Sequence, residues 1–365
     1  MYDFPALTSA VEDGIRRRLH TGVQVFVSVD GEPVVDAGFG ESSPGIPLSK
    51  DTIMPWRSAG KPLTAAALCV HFASGRLSPD SQLMEVLPEV KVSDADAITI
   101  GSLLSHSSAL PVVETTWPHQ SWEDCLQQIC SRNLNVGSDV AYQPQATWFL
   151  LGQLLIRLDR RGRDFQTLVR DMIQRPVGME NTWCGIPTAV LQSHAHHLPT
   201  IYHRERSQMV ESNFGSSPWL SEPSPGGNFR GPVRELGAFY EMLMRGGLTA
   251  DGQRLIAEET VRLMTQRHRE GMFDRTFQHV VDFGLGVIVN SNRYGVDTVP
   301  YGFGQFSSRH AFGHGGAQCA MGFCDPQHQL VVVWSANGFC GEGLHQQRNR
   351  RINEAIYTDL GLRQD

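Results

Sequence analysis

The run Val23-Gln24-Val25-Phe26-Val27-Ser28-Val29 alternates in polarity and leads into Asp30-Gly31, and Pro33-Val34-Val35-Asp36-Ala37-Gly38 answers it. Asp-Gly between two such runs signals a two-residue hairpin, because both turn positions need positive φ. Strand patterning then lapses and returns only near the other end, at 283–289, 311–316, 318–324 and 330–335, the last two joined by Asp325-Pro326-Gln327-His328. Strands found only at the two ends of a chain must meet in space to pair. We therefore expect an α+β fold (an α/β sandwich) in which both termini build one antiparallel sheet flanked by helices, with a mostly helical lobe inserted. The expected bounds are a sheet lobe over about 1–57 and 280–365 and a helical lobe over about 58–279, in a single domain of 1–365. Helical spacing is clearest at 6–19 (Leu7, Val11, Ile15, Leu19), 122–129, 148–158, 234–244 and 348–360.

The helical part opens with Trp56-Arg57-Ser58-Ala59-Gly60-Lys61-Pro62-Leu63-Thr64-Ala65-Ala66-Ala67-Leu68. A helix is expected to start near Ser58, to tolerate Pro62 in its first turn, and to stop at Ser74-Gly75. Residues three apart share a helix face, so Lys61 Nζ can approach Ser58 Oγ. A serine hydroxyl needs a base before it is a good nucleophile, and a lysine whose pKa burial has lowered can be that base. The Ser58 N–H, at the positive end of the helix, is placed to stabilise an oxyanion. By itself Ser-x-x-Lys also fits a capped amphipathic helix with a surface lysine. Composition bears on the choice: three lysines, Lys50, Lys61 and Lys91, stand beside 28 arginines, and arginine cannot replace lysine as a base.

Two further stretches carry matching chemistry. In Ala141-Tyr142-Gln143-Pro144-Gln145-Ala146-Thr147-Trp148, a tyrosine just ahead of a helix can bring its phenolic oxygen to Ser58 and Lys61. As a phenolate, or through a hydrogen bond to Lys61, it can relay the serine proton; a lone tyrosine can equally pack a loop. In Phe312-Gly313-His314-Gly315-Gly316-Ala317 the glycines weaken a predicted strand and mark close approach of a ligand or another backbone. The Ala317 N–H can then be a second oxyanion donor.

Taken in order with Leu103-Leu104-Ser105-His106-Ser107-Ser108-Ala109-Leu110-Pro111, Pro176-Val177-Gly178-Met179-Glu180-Asn181-Thr182, Pro225-Gly226-Gly227 and Phe283-Gly284-Leu285-Gly286, these pieces resemble the serine β-lactamase and penicillin-binding-protein superfamily. Within it they look most like the class C β-lactamase-related, esterase-type branch, and the likeness runs over residues 8 to 358. It implies a serine hydrolase that forms an acyl-enzyme without metal or other cofactor. Ser58 would be the nucleophile and Lys61 the base. Tyr142 would match the tyrosine of the Y-x-N element, and His314-Gly315-Gly316 the K-T-G strand. The Ser58 and Ala317 N–H groups would form the oxyanion hole. The departures are informative: Pro144 replaces the asparagine that steadies an acylamide, and His314 replaces the lysine that would hold a β-lactam carboxylate. Gly60 fills a position commonly Thr or Ser, and Ala109 one that is commonly Gly. The resemblance thus implies an esterase acting on a small carboxylic ester. Its alternatives are a transacylase passing the acyl group to an amine or alcohol, a β-lactam or D-amino-acid peptide hydrolase, and, in another class, a non-catalytic ligand-binding descendant.

Net charge is −7 and no basic stripe occurs, which argues against nucleic acid as a partner. The expected partner is a small-molecule ester or amide. Met1-Tyr2-Asp3-Phe4-Pro5 has no positive region followed by an apolar core, and no apolar run is long enough to span a bilayer, so we expect a cytoplasmic chain without a membrane partner. Seven cysteines, odd in number and without a C-x-x-C pair, are expected as free thiols. Ser193-His194-Ala195-His196-His197 lacks matched ligand spacing and is not expected to hold a metal. His106 is expected to order its turn, Arg230 to sit at the surface, and Trp117 and Trp219 are candidates to line an acyl pocket.

Overall fold

The computed structural model describes residues 3–94 and 98–362. Eight strands form one fully antiparallel sheet, in the order Asp282–Phe283, Ile288–Val289, Phe312–Gly316, Ala320–Asp325, Leu330–Ala336, Gly22–Val29, Glu32–Ser43 and Ile46–Pro47. The two ends of the chain meet where Val23 lies opposite Ala336 and Val29 opposite Leu330. Asp30 and Gly31 turn the first hairpin at φ 52° and 79°, the left-handed pair that a two-residue turn requires.

Alternation assigns the two faces. Val23, Val25 and Val27, with Val332 and Trp334, meet Leu7 and Val11 of the Pro5–Arg16 helix and Ile352, Ile356 and Tyr357 of the Glu342–Asp359 helix. Phe26, Val331 and Val333 face the other way, against Leu236, Phe239 and Tyr240 of the Val233–Met244 helix. That helix lies close on the sheet: a Cβ at Gly237 would stand 2.4 Å from the Phe26 ring, and one at Gly322 2.7 Å from Tyr240. Gln24, buried on this face, fastens the layers. Its Oε1 accepts the Val233 N–H at 2.7 Å, an unpaired helix-start donor, while Nε2 donates to Ser49 O and Thr52 O.

Beyond that helix, Lys61–Ala73 runs through the second core, where every residue from Lys61 to Cys69 is buried. Helices Ala146–Leu158 and Glu258–Thr265 pack on it. The small run Ala65-Ala66-Ala67 suits a helix enclosed on all sides. Among the described residues no helix is long and apolar enough to cross a membrane.

Several expectations need correction. Residues 283–289 are not one strand but two short ones around a turn, in which Leu285 N–H donates to Met264 O and Gly286 N–H to Leu104 O. Glycine permits this approach, since a Cβ on Gly286 would lie 2.3 Å from that of Ala65. The C-terminal helix starts at Glu342, not 348, because its first buried residues, His345, Arg348 and Asn349, are polar and leave no apolar period to read. Arg348 donates there to Leu19 O, Gly338 O and Gln318 O. Arg230 is buried rather than at the surface. It lies in the Phe229–Gly231 strand, which pairs with Met54–Arg57 and Trp183–Cys184, and it donates to Phe214 O and Trp219 O.

Candidate active site

Strand Met54–Arg57 delivers Ser58 into a single 3-10 turn, Ser58–Gly60, that runs on as the Lys61–Ala73 helix. Arg57 just before it sits at φ 49°, ψ −129°. A non-glycine residue in so sparsely populated a region costs about 1–3 kcal/mol, a cost met by the surrounding pairing. The glycine at position 60 has a steric cause: a Cβ there would stand 2.4 Å from Phe229.

Lys61 is fully buried, its Nζ 3.1 Å from Ser58 Oγ and 3.0 Å from Pro144 O, with a short contact to Gly226 O. The rings of Trp148 and Tyr142 flank it at 5.0 and 5.2 Å. Burial, then the nearby Arg57 charge, holds its pKa well below the ordinary lysine value. A neutral amine has two N–H groups for the two carbonyls and one lone pair for the serine proton, which matches these three partners. Gly226 O also lies 3.3 Å from Ser58 Oγ, an alternative acceptor for the same hydroxyl proton. Pro225-Gly226-Gly227 is visible in the sequence as a turn, but the acceptor it supplies is not. The close approach that glycine allows was its only signal, as a Cβ on Gly226 would meet Trp148 at 2.7 Å and Pro144 O at 2.8 Å.

Tyr142 precedes the Ala146–Leu158 helix and is buried against Phe277, His106 and His314, with ring centroids at 4.7, 4.6 and 5.8 Å. Burial raises its pKa, and a hydrogen bond with Ser58 opposes the shift only in part. Burial thus favours the neutral phenol over the phenolate. His106 does more than order its own turn: its Nδ1 accepts the Gln143 N–H at 3.1 Å and so holds the Tyr142 loop. Ala109, where glycine is usual, adopts φ 50° nonetheless. Behind the loop, Arg269 and Asp274 form a wholly buried ion pair at 2.9 Å, and Arg269 also donates to His106 O.

The Phe312–Gly316 strand runs alongside the serine turn. A Cβ on Gly316 would lie 2.0 Å from Trp56 O, and one on Gly315 2.1 Å from the Tyr301 ring. Close approach by backbone and by a side chain thus accounts for both glycines. The turn after the strand brings Ala317 to the cavity wall with Ser58. His314 is buried; its Nδ1 donates to Gly315 O at 2.7 Å, and burial above all pushes its pKa down to about 3.

Ser58, Tyr142, Gly226, His314 and Ala317 line one cavity of about 820 Å³ that also takes in Arg57, Trp117, Gly227, Phe277 and Tyr301, while Lys61 lies beneath its wall. Trp219 stands behind Trp117, edge to face at 5.2 Å, and is not a lining residue. His194, His196 and His197 lie apart on exposed or half-buried turns, and among the described residues no group of three metal-ligating side chains assembles.

A buried amine beside a serine hydroxyl in an antiparallel α+β sandwich defines the class of serine acyl-enzyme hydrolases. The family model described as Beta-lactamase matches residues 7–357, and the chain belongs to that family. It is 24% identical to penicillin-binding protein 4 of Amycolatopsis lactamdurans over 276 residues, 70% of this chain and 68% of that protein. Among solved structures it superposes on a family VIII carboxylesterase with a TM-score of 0.79 at 20% identity, covering 98% of this chain and 97% of that one. It superposes equally, at 0.79 and 18% identity over 96% and 97% of the two chains, on EstCE1, a hydrolase with promiscuous acyltransferase activity. At such identities the superpositions establish the fold alone.

Proposed function

We propose that the chain is an esterase acting on small carboxylic esters through a Ser58 acyl-enzyme. The observation that carries this is the buried Lys61 Nζ, 3.1 Å from Ser58 Oγ and saturated by two carbonyls. Ser58 Oγ attacks the ester carbonyl carbon and its proton passes to the Lys61 lone pair. The Ser58 and Ala317 N–H groups hold the oxygen that becomes negative. As the carbon–oxygen bond breaks, the proton returns through Lys61 and Tyr142 to the departing alcohol. Water then attacks the acyl-serine, gives a proton to the same relay, and releases the acid and Ser58. An ester is favoured over a β-lactam because His314 is neutral and Pro144 offers no amide to an acylamide side chain. The cavity volume favours a second reading beside hydrolysis, transfer to an alcohol or amine, since 820 Å³ leaves room for an acceptor.

The test is turnover of p-nitrophenyl acetate and butyrate, beside a chromogenic cephalosporin, by the wild type and Ser58→Ala. Ester turnover that is lost in Ser58→Ala, with little cephalosporin cleavage, is expected. Undiminished ester turnover by folded Ser58→Ala refutes the mechanism, and efficient cephalosporin cleavage refutes the substrate preference. Product partition with added alcohols then measures transfer.

A further inference from the structure

Ala317 opens the turn between the Phe312–Gly316 and Ala320–Asp325 strands, and among the described residues its N–H meets no acceptor. The turn closes through the Cys319 N–H, which donates to Gly316 O at 3.0 Å. Gln318, the residue after Ala317, sits at φ 59°, in the left-handed region that favours glycine. A side chain is kept there all the same, and it is used: Gln318 Oε1 accepts the Gly341 N–H at 2.7 Å, directly ahead of the Glu342–Asp359 helix. The Gln318 carbonyl accepts from Arg348 Nη2, also at 2.7 Å. The Gln318 N–H faces the Tyr301 hydroxyl, which itself donates to Glu342 Oε2 at 2.7 Å. Tyr301 is held to the same helix a second time, its N–H donating to Gln346 Oε1 at 2.8 Å. The carbonyl, the N–H and the side chain of Gln318 thus all lead to one helix.

Arg348 is 2% exposed, and its partners are carbonyls and imidazoles rather than a carboxylate. Besides Gln318 O it reaches Leu19 O and Gly338 O, and it meets the Nδ1 atoms of His345 and His20 at 3.0 and 3.2 Å. A guanidinium only donates, so both histidines accept there as neutral rings. Its planar fork fixes the direction of each bond, which a flexible ammonium would not. We infer that Gln318 and Arg348 are positioning residues for the oxyanion hole. Gly316 is held in the sheet on one side of Ala317 and Gln318 by the helix on the other, and the direction of the Ala317 N–H is set between them. Such a donor acts only on the charge that develops in the transition state, so its aim bears on rate more than on binding. The inference rests on the acyl-enzyme reading, in which the Ala317 N–H is one of two donors.

The test is p-nitrophenyl butyrate turnover by Gln318→Met and Arg348→Lys, with binding of phenylboronic acid, whose boron becomes tetrahedral and negatively charged on the serine oxygen. Gln318→Met keeps the size of a half-buried side chain and loses the acceptor for Gly341, so its urea midpoint should stay near that of the wild type. Its kcat and kcat/KM are expected to fall together by about tenfold, with KM within about twofold and phenylboronate affinity falling in step. Arg348→Lys keeps the buried charge, but one ammonium cannot span the three carbonyls; turnover is expected to fall about 100-fold, with a lower urea midpoint. Unchanged kcat and boronate affinity in folded Gln318→Met would overturn the inference, whatever happens to stability. A rise in KM with kcat intact would overturn it too, since that is the mark of lost ground-state binding. Wild-type turnover that does not depend on Ser58 would sink the acyl-enzyme reading itself, and the positioning role with it.

Discussion

Gly60→Ala sets two effects of opposite sign against each other. Gly60 has φ −84° and ψ −9°, ordinary helical values that alanine adopts freely. At an uncrowded helical position the exchange stabilises by about 0.8–1 kcal/mol. Here the new Cβ would stand 2.4 Å from Phe229 Cβ and 2.5 Å from its Cγ and Cδ2. Relief requires movement of about 1 Å, and Phe229 has nowhere to go: it is fully buried in a strand paired on both sides. Overpacking costs about 1–3 kcal/mol, and an approach of 2.4 Å to a fixed ring lies toward the upper end, so the clash wins and the expected net loss is about 2 kcal/mol. The serine turn is the less constrained partner and takes part of the shift, and a misplacement of about 1 Å at a reacting group can cost about 100-fold in turnover. Urea midpoints followed by circular dichroism, with Ser58-dependent ester turnover, read both effects. The double variant Gly60→Ala/Phe229→Leu should recover part of each. A Gly60→Ala protein as stable and as active as the wild type would refute the steric account of this position.

Three further outcomes follow from the site. Tyr142→Phe keeps the ring stack on Phe277 but loses the hydroxyl bonded to Ser58; folding should hold while kcat falls about 100-fold or more, and unchanged kcat would remove Tyr142 from the relay. Lys61 has a folded-state pKa below the unfolded value of about 10.4. In that window the unfolded chain holds more protons, so stability rises with pH. The wild type should gain on Lys61→Met between pH 7 and 9.5 in urea midpoints, and kcat/KM should fall as acid protonates the amine; a pH-independent difference would show that Lys61 is charged or absent from the core. Asp274→Ala leaves Arg269 buried without its counter-ion, for an expected loss of about 3–5 kcal/mol; a loss under about 1 kcal/mol would mean the guanidinium finds water.

Local pattern was enough for most of the sheet, the 283–289 segment excepted. Alternation in 23–29, the Asp30-Gly31 turn and the late strands define which residues face which side, because a period of two is written in neighbouring residues. The Ser58–Lys61 spacing was equally legible, since one helical turn sets that distance. Other features depended on residues far apart in the chain. The carbonyls of Pro144 and Gly226 that hold Lys61 come from two loops, and a backbone acceptor leaves no mark on its own side chain. Arg230 read as a surface cation because nothing near it in sequence announces the distant carbonyls that receive it, and nothing near Arg348 announces its own. The glycines at 60, 286, 315 and 316 are visible in the motifs, but what each makes room for, Phe229, Ala65, Tyr301 or the Trp56 carbonyl, exists only once the layers are packed. The sequence by itself thus determined the strands, the turns and the serine–lysine pair, all products of short-range periodicity. Only the tertiary structure decided the protonation of Lys61, Tyr142 and His314, because desolvation and opposed charges are properties of what surrounds a group in space.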